Sequence, residues 1–246
     1  MGGWVTAMAR DTRPAPPTGP CDGEPCPDER FEGPCPADMV LIAGGLYKLG
    51  LADSMVAPYA LDAGDVSVAA FCMAKYEHPG VLGALPTVEV SQREAALLCQ
   101  DRGRRLCRDI EWEAACRGQS GRTYSYGNTK DDSRCHTESS ALEAGGALRP
   151  IGSFERCVSV EGVFDLNGSV SEHVSDTHPG PPFPPDVDSA AGESGILRGG
   201  TMWGAAYGQD CLSRHWHLPD HRQEDDGFRC CRDAQVEQPP VKGSSE

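Results

Sequence analysis

Twelve cysteines in a chain of 246 residues constrain this sequence more than any other feature. An ordinary reduced cytosolic enzyme carries fewer, and a knottin-like scaffold packs them more densely. The count is even, so full pairing in an oxidising compartment is the default reading. That reading puts the protein outside the cytoplasm: secreted, periplasmic or on a cell surface. The opening run from Met1 to Ala9 has neither the charged start nor the apolar centre of an export signal. The cysteines outweigh it here. Met1-Gly2 with Thr6 fits the loose myristoylation pattern, which carries little weight alone.

Composition narrows the class further. The 29 glycines and 20 prolines predict much loop and little regular structure. The length suffices for one buried core. The net charge of −15 repels phosphate backbones, so no nucleic acid and no anionic membrane is expected as a partner. The same field suits cations such as Ca²⁺. No apolar run approaches the ~18–20 residues of a membrane span.

Three regions are expected along the chain. Residues 1–34 hold seven prolines and read as a disordered leader, with Cys21–Cys26 closing a small local loop. The domain spans residues 35–233, and residues 234–246 read as a disordered tail. Met39–Ile42 and Phe71–Tyr76 read as strands. Ser91 and Glu94 form a capping box ahead of a helix that stops at Gly103. A second helix is expected from Asp109 to Cys116, ended by Gly118. Beyond Gly118 the chain reads mostly as turns.

Seven segments, in order, resemble one family. They are Met39-Val40-x-Ile42-x-Gly44-Gly45-x-Tyr47-x-x-Gly50, Phe71-Cys72-Met73-Ala74-Lys75-Tyr76-Glu77 and Arg105-Leu106-Cys107-Arg108-Asp109-Ile110-Glu111-Trp112-Glu113 running to Arg117-Gly118. Then come Tyr124-Ser125-Tyr126-Gly127-Asn128, Gly162 to Asp176, Leu197-Arg198-Gly199-Gly200-Thr201-Met202-Trp203 and Gly227-Phe228-Arg229-Cys230. Together they are similar to the formylglycine-generating enzymes, or sulfatase-modifying factors. The resemblance implies an irregular, loop-rich, disulfide-rich α+β domain, the formylglycine-generating-enzyme fold, related to C-type lectins.

The same resemblance says what chemistry to look for. These enzymes use O₂ and Cu(I), held by two thiolates, to oxidise a cysteine of a client sulfatase. Soft thiolates select Cu(I). Here Gly204 and Gln209 stand where the two ligand cysteines are expected, so copper is not expected. The resemblance pairs Cys99 with Cys230 and Cys116 with Cys211. It sets Cys72 near Cys107, which suggests a third pair. Cys135 and Cys157 bracket an acidic loop and suggest a fourth. Cys35 with Cys231 would tie the domain's ends together. Twelve cysteines allow about ten thousand connectivities, so sequence alone does not choose.

Two metal readings follow. The family binds Ca²⁺ through an Asn and a Glu with intervening carbonyls. The matching groups here are Glu172 and the Val170 carbonyl, with Ser169 in place of the Asn and Asn167 able to compensate. His215, His217 and His221 form the second set. In an extended segment the first two face one way, and His221 returns after Pro219. Three imidazoles can hold Zn²⁺ or Cu²⁺. Asp225-Asp226, just before Gly-Phe-Arg, can add to a cation site. Trp216 is expected in the core, and His78, His136 and His178 in solvent.

These readings converge on a non-catalytic, exported binding module for a protein or glycan. Two alternatives stay open. One is an active copper oxidase with relocated ligands, at the three histidines or near Cys230–Cys231. The other is a structural surface protein.

Overall fold

The computed structural model describes residues 33–50, 60–143, 145–179, 193–203 and 208–235. In chain order the elements are β1 (Met39–Ile42), β2 (Gly45–Leu49), β3 (Gly64–Val68), β4 (Phe71–Ala74), α1 (Gln92–Gln100), β5 (Arg105–Leu106) and α2 (Asp109–Arg117). They continue with α3 (Glu138–Glu143), β6 (Ser171–His178), β7 (Ser194–Arg198), β8 (Arg214–His217), β9 (Asp226–Phe228) and β10 (Cys230–Asp233).

Local chemistry sets the helix ends. Ser91 Oγ accepts the Glu94 N–H at 3.3 Å, and the Glu94 carboxylate accepts the Ser91 N–H at 2.9 Å. Gly103, at φ +65°, turns the chain so that the Arg104 N–H reaches the Cys99 carbonyl. In α2 the Glu111 carboxylate accepts the Arg108 N–H at 2.8 Å. Gly118, at φ +60°, ends that helix. Eight of its nine residues are buried, so α2 lies at the centre of the domain.

Two four-stranded sheets and one hairpin surround it. The first sheet has the order β1-β4-β10-β5, β2 and β3 pair alone, and the second has the order β8-β7-β6-β9. All pairings are antiparallel except β6 with β9. Ile42, Tyr47, Phe71, Met73, Trp112, Leu166, Ile196 and Trp216 share one core. The second sheet and α3 correct the expectation of turns after Gly118. Strand β6 reads Ser-Glu-His-Val-Ser-Asp-Thr-His, a polar string without the usual strand signal. Its first four residues are nonetheless buried.

Strand pleat explains the disulfides. Antiparallel partners share a face, and neighbours along a strand do not. Cys231 pairs with Met73, and Arg232 pairs with Cys72, so Cys72 and Cys231 project from opposite faces. Cys107 and Cys231 lie in the Met73 core, while Cys230 and Cys99 share a second core with Leu106. The bonds are therefore Cys107–Cys231 and Cys35–Cys72, which correct the expected Cys72–Cys107 and Cys35–Cys231. Cys99 bonds Cys230, Cys116 bonds Cys211 and Cys135 bonds Cys157, as the sequence reading paired them. No described cysteine is free. Cys21–Cys26 lies outside the described residues. No helix among those described is long and apolar enough to cross a membrane.

Candidate functional site

A buried ion-pair frame positions the Arg-Gly-Gly segment after β7. Arg198, fully buried, donates from Nε to Asp109 and from Nη2 to Glu113 at 2.9 Å. Glu113 also accepts the Gly50 N–H at 2.6 Å and Arg117 Nη1 at 2.9 Å. Asp109 takes a second cation, Arg214, at 3.0 Å. The frame fixes where the chain turns at Gly199 and Gly200, both at positive φ. Gly200 approaches the Gly208 carbonyl so closely that no Cβ fits between them.

That approach brings Gln209 to Thr201. Gln209 is buried, and its Nε2 donates to the Thr201 carbonyl at 2.7 Å and to the Met202 carbonyl at 3.4 Å. A neutral amide thus fills one position where the family resemblance implies a copper thiolate. Gly204, the other, lies outside the described residues. Cys211 is committed to Cys116. Cys230 and Cys231, once an alternative copper site, are committed to Cys99 and Cys107.

Two of the residues expected to bind Ca²⁺, Glu172 and Asn167, have side-chain partners within the protein. Both Glu172 oxygens accept from Arg229, at 2.6 Å each, and Oε2 also accepts Trp112 Nε1 at 2.7 Å. Asn167 Oδ1 accepts from the Ser125 N–H and hydroxyl at 2.9 and 2.7 Å. The Ser169 carbonyl accepts the Met202 N–H, and Val170 is buried in the core. Glu172, Asn167 and the Ser169 carbonyl are thus already engaged by protein donors. A buried cluster of carboxyl groups lies beside them. Glu77 is fully buried, and neither of its oxygens has a hydrogen-bond partner. Burial, then Asp165 and Glu172, push its pKa well above the usual range, with Arg229 opposing. Burial likewise lifts Asp165 to about 6.

The histidines converge. His215 and His217 alternate with Trp216 on β8, so Trp216 packs into the core and both imidazoles face the other way. Their rings meet edge-on at 5.2 Å, and His221 stacks on His217 at 4.5 Å. Asp226 joins them from β9. One ligand atom from each of His215, His217 and Asp226 lies within 4.8 Å of the others, all three residues being buried. Burial lowers His215 to about 3 and His173 to about 4, each helped by neighbouring imidazoles. Burial and Asp225 raise Asp226 well above the carboxylate range.

Other histidines also depart from expectation. His78 and His136 are buried, not solvated. His78 Nδ1 lies 2.8 Å from Thr87 Oγ1, and His136 Nδ1 lies 2.9 Å from Ser140 Oγ. His178 is half-buried against Trp216. Sequence reasoning missed Glu77 and His173 as site residues. Glu77 ends one of the strand motifs of the resemblance, and His173 lies within another, the Gly162 to Asp176 segment. Only their shared burial reveals them.

A disulfide-stapled α+β domain, with α2 framed by arginines and an Arg-Gly-Gly turn, defines the class. Residues 80–234 match the sulfatase-modifying factor enzyme 1-like domain, and the chain belongs to that family. Relatives include the inactive C-alpha-formylglycine-generating enzyme 2 of Mus musculus, 29% identical over 163 residues, covering 61% of this chain and 50% of that protein. The Bos taurus counterpart is 27% identical over 162 residues, with the same coverage. This chain spans about half the length of those curated relatives. Two solved structures share the fold. Treponema denticola variable protein 1 superposes with a TM-score of 0.62 at 20% identity, over 79% of this chain and 94% of that one. PvdO from Pseudomonas aeruginosa gives 0.61 at 21%, with the same coverage.

Proposed function

We propose that this chain is an exported binding module on the sulfatase-modifying-factor scaffold and does not perform copper-dependent cysteine oxidation. The observation that carries the reading is Gln209, buried and tied to the Thr201 and Met202 carbonyls at an expected ligand position. The disulfide bonding of every described cysteine supports it, because no thiolate is left there to bind Cu(I). The names of the curated relatives, which call those proteins inactive, support it as well. Disulfides also favour an oxidising, extracytoplasmic location.

A protein partner is favoured over a glycan by one loop. Val81, Leu82 and Leu85 each expose more than half of their surface within five residues. Exposed apolar clusters mark contact sites.

Calcium belongs to the same reading, on a changed set of residues. A hard dication beside Glu77 and Asp165 would neutralise carboxylates that Arg229 alone does not balance.

The test is direct. The pure chain is given Cu(I), O₂ and a Cys-x-Pro-x-Arg peptide, and its thiols and copper are counted. No aldehyde, no copper and no free thiol support the module. Conversion of the peptide overturns it. A thermal midpoint that ignores EDTA counts against calcium.

A further inference from the structure

We propose that His215, His217 and Asp226, with His173 as fourth donor, form a closed site for a divalent transition metal such as Zn²⁺. The site joins opposite edges of one sheet. Strand β8 carries His215 and His217 at one edge, and β9 carries Asp226 at the other, with β7 and β6 between. Their ligand atoms still lie within 4.8 Å of one another. Four tetrahedral donors around zinc sit about 3.3 Å apart at bond lengths of ~2.0–2.1 Å. Small side-chain movements close that gap.

On the intervening strands, Ser171, level with Asp226, has a small side chain, and the Gln92 amide packs over Gly195, opposite His217. His173 lies two residues after Ser171, on the same side of β6. It is also linked across β7, through Leu197, to His215.

Unsatisfied polar atoms point to a missing partner. Asp226 is fully buried, and neither carboxylate oxygen has a hydrogen-bond partner. The buried Ser171 hydroxyl lacks one too. Native proteins rarely leave such groups orphaned, and a bound ion is one of the few explanations. The His173 ring supplies the outer-shell geometry of a metal ligand. Its Nε2 donates to the Val90 carbonyl at 3.1 Å, and its buried Nδ1 has no partner. A metal-bound imidazole typically donates its other N–H to such a carbonyl. Imidazoles with one carboxylate suit Zn²⁺ or another divalent first-row ion, not the thiolate-loving Cu(I). Four donors fill a tetrahedral shell, so the site is structural.

The experiment uses the untagged full chain with its disulfides intact. It is stripped with a chelator and titrated with Zn²⁺, then with Co²⁺. We expect one equivalent of zinc, a raised thermal midpoint, and cobalt d–d bands without thiolate charge transfer. His217→Ala and Asp226→Asn should each weaken zinc binding beyond the roughly 10–100-fold cost of losing an outer-shell partner. If either variant fails to fold, X-ray absorption on the zinc-loaded native chain decides. Imidazole scattering in a nitrogen and oxygen shell supports the site. No zinc uptake, uptake unchanged in both variants, or a shell without imidazole overturns it.

Discussion

Arg229 meets Glu172 with two parallel contacts: Nε to Oε2 at 2.6 Å and Nη2 to Oε1 at 2.6 Å. Both side chains are almost wholly buried. Removing one partner of such a pair leaves an uncompensated charge inside, at about 3–5 kcal/mol. Arg229→Met should lower stability by that much, measured by urea unfolding. Glu172→Gln should cost a similar amount, because Arg229 keeps its charge and the amide can accept at only one of the two contacts. A loss below about 1 kcal/mol in either variant would contradict this.

The disulfide arrangement predicts a specific peptide map. Under non-reducing conditions, trypsin should release residues 31–48 joined to 49–75 through Cys35–Cys72. Residues 230–232 should carry two partners at once, the peptides containing Cys99 and Cys107. A peptide linking Cys72 to Cys107 would refute the arrangement.

Gln209 should matter for local order more than for global stability. Gln209→Ala removes one short hydrogen bond and leaves the Thr201 carbonyl buried, at a cost of about 1–3 kcal/mol. Amide exchange should quicken at Thr201 and Met202 while α2 stays protected. Unchanged exchange at those two residues would argue against the role.

His78 gives the protein an acid-sensitive limb. Burial, then Arg102 and Arg104, lowers its pKa to about 4. Unfolded, it titrates near 6.5. Between those values the unfolded chain binds more protons, so this contribution is complete above about pH 6.5 and fades as pH falls towards 4. The stability difference between native chain and His78→Gln should therefore shrink on acidification. Parallel profiles for the two would rule the effect out.

Much of this was legible from local chemistry. The Ser91–Glu94 box and the Gly118 stop depend only on neighbouring residues, so the helix ends fall where the sequence places them. Cysteine pairing does not work that way. Cys72 and Cys231 differ in face because of the register between β4 and β10, strands far apart in sequence. Strand β6 was hidden for a related reason. Its polar side chains find partners only in the fold: Glu172 in Arg229, His173 in the Val90 carbonyl. Spacing brought His215 and His217 together on paper, but only sheet closure brings Asp226 to them.

Strand β10 sits between β4 and β5, yet it is the last of the described strands in chain order. Among the described residues, three of the five disulfides close on Cys211, Cys230 and Cys231. During synthesis, Cys99, Cys107 and Cys116 must wait as thiols until roughly a hundred further residues have emerged. The chain thus depends on its cellular oxidant acting late. Early oxidation would join those waiting thiols to one another and strand the central place that β10 must enter.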